Sequence, residues 1–124
     1  MTIKVALAGA GAFGIKHLDG IKNIADVEVV SLISRDLEKT REVADKYGIP
    51  HVTTDLADSL AIKEVDAVIL CTPTQMHADQ SIACLKAGKH VQVEIPLADS
   101  LKGAAEVVAL QKQTGLVAMC GHTR

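Results

Sequence analysis

The sequence predicts an α/β fold: a doubly wound parallel sheet of order 3-2-1-4-5-6 between two helical layers. Three observations carry this. Short apolar runs alternate with helical stretches through all 124 residues, as βαβ units require. The first run, Ile3–Ala8, leads into Gly9-x-Gly11-x-x-Gly14 and then a helix. The apolar 48% is mostly Ala, Val, Ile and Leu, with Phe13 and Tyr47 the only aromatics, which suits strands buried on both faces.

Each element follows from its residues. After the first strand, a helix places Phe13, His17, Ile21 and Ile24 at helical spacing. His17 there is expected to be a packed, satisfied histidine. Val27–Ile33 is the second strand. Asp36 is expected to cap the second helix, with a stripe of Leu37, Thr40, Ala44 and Tyr47. Gly48 ends it and Pro50 blocks its continuation. His51–Thr54 is a short third strand, and Asp55 or Ser59 caps a weak helical turn.

Ala67–Cys71 reads as the buried central strand, broken by Thr72-Pro73-Thr74. Thr74 is expected to cap a helix that buries Ala78, Ile82 and Leu85 and stops at Gly88. His90–Val93 is the fifth strand, followed by Glu94-Ile95-Pro96. Asp99 or Ser100 caps a last long helix that carries Leu101, Ala104, Ala105 and Val108 and closes at Gly115. Leu116–Cys120 is the sixth strand.

The glycines have distinct tasks. Gly9 permits a tight turn, Gly11 leaves room for a pyrophosphate against the backbone, and Gly14 lets helix and strand pack closely. The helix N-terminus, with Ala12 and Phe13, offers free N–H groups to phosphate. Thr72–Thr74 lies at the carboxyl end of the fourth strand, where strands 1 and 4 diverge. Two separate stretches therefore meet at one crevice.

The residue after the second strand selects the dinucleotide. An acid there binds the ribose hydroxyls of NAD, whereas a cation accommodates the 2′-phosphate of NADP. Here Ser34 and Arg35 stand at that place, which favours NADP over NAD. Asp36 is the alternative NAD acid, unless helix capping accounts for it.

Composition excludes other classes. Net charge is −2, with 13 Lys and Arg against 15 Asp and Glu, and no basic run points to nucleic acid. No segment nears the ~20 apolar residues of a membrane span. Cys71, Cys84 and Cys120 are odd in number and widely spaced, which suits reduced thiols in a cytoplasmic protein. Their spacing suggests no disulfide frame and no metal site. An S-adenosylmethionine-binding fold shares the glycine turn, but Thr72–Thr74 and Ser34-Arg35 speak against it.

Cys71-Thr72-Pro73-Thr74-x-x-His77, Gly88-Lys89-His90-Val91 and Glu94-x-Pro96, together with the glycine motif, resemble the glucose–fructose oxidoreductase/inositol dehydrogenase/MocA-like family. The resemblance covers the whole chain. It implies a Rossmann fold and a cofactor site including Cys71, Thr72, Pro73, Thr74, His77, Glu94 and Pro96. CTPTQMH and HVQVEIPLADS are similar to a branch that oxidises a cyclic hemiacetal in protocatechuate 4,5-cleavage with NADP.

Two departures from the family pattern shape the expectation. Most members carry a lysine where Ile95 stands, and a branched alkyl group neither donates a proton nor holds a hydroxyl. Family members also continue into a domain that supplies the substrate pocket, a catalytic histidine and most of the subunit interface. The expectation is thus a cofactor half without its substrate domain, with no catalytic residue of its own beyond the weak candidate His122. Incomplete catalysis unaided is expected, as is association into a homodimer or larger assembly, by domain swapping or through an uncovered apolar face. A partner chain closing the site, or a fold that binds no ligand tightly, are the alternatives.

Overall fold

The computed structural model describes residues 2–121, without the side chains of Ala12 and Phe13. His122 lies outside the described residues. Six strands form one all-parallel sheet: β1 (Ile3–Ala8), β2 (Val27–Ile33), β3 (His51–Thr53), β4 (Ala67–Leu70), β5 (His90–Glu94) and β6 (Ala118–Gly121). Their spatial order is β3-β2-β1-β4-β5-β6, as the sequence predicts. Adjacent β1 and β4 run in register from Val5 opposite Ala67 to Ala8 opposite Leu70. Their carboxyl ends therefore open side by side.

Five helices cover the sheet: α1 (Ala12–Ile21), α2 (Leu37–Tyr47), α3 (Leu56–Leu60), α4 (His77–Lys86) and α5 (Leu101–Thr114). Strand alternation sends side chains to two cores. Val5, Leu7 and Leu32 pack with Leu18 of α1 and Ala44 of α2 on one face. Ala6, Ala8, Val68, Leu70, Val91 and Val93 pack with Cys84, Leu85 and Val107 of α4 and α5 on the other.

The caps are those that local chemistry favours. Asp36 accepts from the Lys39 N–H, Asp55 from Ala57 and Ser100 from Gly103. Gly48 and Gly115 end α2 and α5 with positive φ.

Three packing expectations need correction. Thr74 caps no α-helix. It begins a single 3-10 turn, Thr74–Met76, and α4 starts only at His77. The backbone N–H of Met76 donates to Pro73 O at 2.9 Å and closes that turn first. In α5 the buried position is Val107, whereas Leu101 is 87% exposed and Val108 and Ala105 also face out. Gly103 sets this face: a β-carbon there would sit 3.0 Å from Ala78 Cβ, so α5 turns its glycine toward α4. Leu37 and Ile24 are likewise exposed, while Thr40 and Ala44 carry the buried side of α2.

The first core face is covered unevenly. Helices α1 and α2 leave a shallow apolar groove of about 310 Å³ over β4, β5 and β6, lined in part by Ile3, Ile24, Val117 and Met119. These four side chains are all exposed.

Candidate cofactor-binding cleft

The cleft forms where β1 and β4 end together. Gly9 N–H donates to Ile33 O and Cys71 N–H to Ala8 O, both at 2.7 Å, so three strand ends are tied at one level. Gly9 has φ +103°, and a β-carbon there would strike the Cys71 carbonyl. A β-carbon on Gly14 would strike the Gly9 carbonyl oxygen. Gly11 differs, since nothing lies within 4 Å of its would-be β-carbon. That open space faces the N-terminus of α1, where Gly11 is the N-cap.

The cleft has a volume of about 480 Å³. Gly9, Gly11, Ser34, Arg35, Cys71, Thr72 and Pro73 line it. Residues drawn from three separate sequence stretches thus share one wall. The side chains of Ala12 and Phe13 are outside the description. Gly14 lies beneath the turn and is buried. Thr74 is half-buried in the 3-10 turn, beside the lining residues Pro73 and Met76.

Asp36 is occupied otherwise. Its carboxylate accepts from Lys39 N–H at 3.1 Å, and its carbonyl accepts from the Thr40 hydroxyl at 2.6 Å. It does not line the cleft among the described residues.

His77 and Pro96 brace the cleft from below. His77 is only 1% exposed. Its Nδ1 lies 2.7 Å from Pro96 O and its Nε2 2.7 Å from Thr72 O. His77 therefore joins the loop after β4 to the loop after β5. The Thr72 hydroxyl adds a short bond to Gln80 Oε1 on α4. The Ile95–Pro96 peptide is cis.

Glu94 ends β5 and meets His17 of α1, with 2.6 Å between Oε1 and Nε2. Both side chains are mostly buried. The satisfied histidine expected at position 17 thus has its partner, 77 residues away. Burial first, and the Glu94 charge second, push the Cys71 thiol up to about 12.

Sequence reasoning missed Thr54, Asp55, Leu56, Met76 and Gln80 in this wall. Thr54–Leu56 follow the carboxyl end of β3, so the rule that strand ends line the crevice was a usable signal. Met76 and Gln80 enter through the 3-10 turn that displaces α4, and nothing in the sequence announces that turn.

Comparison with known proteins decides the family. The model of the oxidoreductase family with an NAD-binding Rossmann fold matches residues 3–122. The chain belongs to the Gfo/Idh/MocA oxidoreductase family. It forms that family's dinucleotide-binding Rossmann domain. It is 66% identical over 122 residues to a 4-carboxy-2-hydroxymuconate-6-semialdehyde dehydrogenase of Sphingobium sp., covering 98% of this chain and 39% of that protein. A scyllo-inositol 2-dehydrogenase (NADP(+)) of Bacillus subtilis is 30% identical, covering 94% of this chain and 36% of that one.

Among solved structures, GenD2 from gentamicin A biosynthesis, in complex with NAD, matches with a TM-score of 0.92 and 29% identity. That match covers 97% of this chain and 34% of GenD2. The chain spans under two-fifths of the length of each of these relatives. Among the described residues, no helix is long and apolar enough to cross a membrane.

Proposed function

We propose that this domain holds NADP(H) for a dehydrogenase that oxidises a hemiacetal or semialdehyde. The observation that carries the cofactor reading is that Ser34 and Arg35 line the same cleft as Gly9 and Gly11. With pyrophosphate at Gly11 and the α1 N-terminus, the adenosine ribose extends toward the end of β2. There Arg35 offers a fixed cationic fork and Ser34 a hydroxyl, which suit a 2′-phosphate. The competing acid, Asp36, is engaged in capping α2. The other acid in the wall, Asp55, accepts from Ala57 N–H at 3.0 Å.

Thr72, Pro73 and Thr74 carry the cofactor past β4, and Glu94 and Pro96 border its nicotinamide end. His77 acts on the cofactor through the two loops it joins. The substrate class is taken from the Sphingobium relative at 66% identity. Ile95 supplies neither proton nor hydrogen bond to substrate, so turnover needs groups from outside these 124 residues. Contact with a second copy through the apolar groove over β4–β6, in a cytoplasmic setting, completes the reading.

Cofactor titration tests it. The chain has no Trp, so NADPH fluorescence is followed against little protein background. NADPH should saturate the chain and NADH should bind more weakly. Arg35→Ala should lower NADPH affinity about tenfold, or ~1.4 kcal/mol, and leave NADH nearly unchanged. Equal losses for both, or no loss for NADPH, would reject Arg35 as the phosphate ligand. Turnover of the semialdehyde by the purified chain would reject the view that it needs further groups.

A further inference from the structure

Among the described residues, one set of three potential metal ligands converges: His17, Cys71 and Glu94, with ligand atoms all within 4.8 Å of one another. The three come from three different elements. His17 sits on α1, Cys71 directly follows β4, and Glu94 is the last residue of β5. None is exposed. Their positions are fixed from outside the cluster: Cys71 by its backbone bond to Ala8, and Glu94 by pairing with Gly121 across the β5–β6 ladder.

The donor set is one imidazole nitrogen, one sulfur and one carboxylate oxygen. Mixed nitrogen, sulfur and oxygen donors suit zinc and its neighbours and do not suit magnesium or calcium. Zinc ligands at about 2.0–2.3 Å on a tetrahedral centre lie roughly 3.3–3.6 Å from one another. The His17–Glu94 contact at 2.6 Å must therefore open by under about 1 Å, and separations of up to 4.8 Å must close by up to about 1.3 Å. Side-chain rotation supplies such shifts without moving a strand. Thiolate and carboxylate together balance the charge of a divalent ion, which compensates for taking both out of water.

We propose that His17 Nε2, Cys71 Sγ and a Glu94 carboxylate oxygen form a three-ligand site for zinc or a similar divalent ion. The fourth position faces the cleft that Cys71 lines, and water fills it. On binding, the ion displaces the thiol proton of Cys71, and that proton leaves to solvent. No electron is transferred. Cys120 is the natural control, because it also lies near the Glu94 charge but is not one of the three converging ligands.

Cobalt(II) is the probe, since thiolate-to-cobalt charge transfer and strong visible bands report a four-coordinate sulfur-containing site. One equivalent of Co²⁺ added to the reduced chain should give both features, and one equivalent of Zn²⁺ should remove them. Titration of Zn²⁺ in two buffers of different protonation enthalpy should show at least one proton released per ion. Cys71→Ser and Cys71→Ala should abolish the charge-transfer band. His17→Gln should weaken Zn²⁺ affinity by more than about tenfold. Cys120→Ala should keep the band, and circular dichroism checks that each variant is folded. Absence of the band at one equivalent, a band that survives Cys71→Ala, or one lost only in Cys120→Ala would each overturn the site.

Discussion

A β-carbon placed on Gly14 would collide with the carbonyl oxygen of Gly9. The two glycines therefore hold each other at the entry to α1, independent of any ligand. Gly11, between them, meets nothing within 4 Å. The motif thus divides into a structural pair and an open place. Gly14→Ala forces backbone apart and should cost ~3 kcal/mol or more in urea unfolding. Gly11→Ala should change stability by less than about 0.5 kcal/mol. It should still weaken NADPH binding at least tenfold, because its methyl fills the space assigned to pyrophosphate. Unchanged NADPH affinity in a folded Gly11→Ala variant would show that phosphate lies elsewhere.

Strand order was legible because apolar runs alternate with helical stretches along the chain, and α2 and α5 carry both a side-chain cap and a glycine stop. Asp36, Ser100, Gly48 and Gly115 act as local chemistry demands. The failures have physical causes. Helix α5 interrupts its apolar period with alanines and Gly103, and the close approach of Gly103 to Ala78 fixes which face is buried. The 3-10 turn that displaces Thr74 from a capping position follows Thr72, which bonds Gln80 and His77, and His77 in turn reaches Pro96, 19 residues further on. The cleft was half legible: the glycines, Ser34, Arg35 and Thr72–Pro73 follow strand ends, while Met76 and Gln80 depend on that turn. The His17–Cys71–Glu94 convergence has no spacing signature, because three elements supply one ligand each.

The acid that follows Arg35 offers a contrast to it. The Asp36 carboxylate caps α2 through Lys39 N–H at 3.1 Å. Asp36→Ala should cost ~1 kcal/mol of stability, the usual loss of a helix cap. It should leave the ratio of NADPH to NADH affinity unchanged. A shift of that ratio toward NADPH would instead make Asp36 a ribose ligand whose charge repels the 2′-phosphate.

The brace at His77 joins two loops that the cofactor must find in place. Replacing it with Phe keeps a buried ring and removes both contacts, to Thr72 O and Pro96 O. Both contacts are part-buried, and a carbonyl that loses its donor there costs about 1–2 kcal/mol. His77→Phe should therefore lose ~2–4 kcal/mol in urea unfolding. Amide exchange should rise in both loops, residues 72–76 and 95–99, more than in β1. If only one loop loosens, the brace works in one direction, and the second contact carries no load.

Cys84 ties stability to alkaline pH. It is 0% exposed, packed between α4 and the sheet, and burial pushes its thiol from the ordinary 9.0 to about 12. Below pH 9 both folded and unfolded chains keep this proton, and the group is neutral in the balance. Between about 9 and 12 the unfolded chain releases it while the folded chain retains it. The unfolded state is then favoured by about 1.4 kcal/mol per pH unit for each such thiol. Cys71, raised to about 12 as well, adds a second contribution of the same sign. Urea unfolding from about pH 8 to 10.5 should show stability falling, and Cys84→Val should fall less steeply. Every other ionisable group is common to both proteins and cancels in the difference. The comparison rests on slope, so any packing cost of the added methyl enters as a constant offset. Parallel curves for the two proteins would mean that the Cys84 thiol ionises in the folded chain at its ordinary pH.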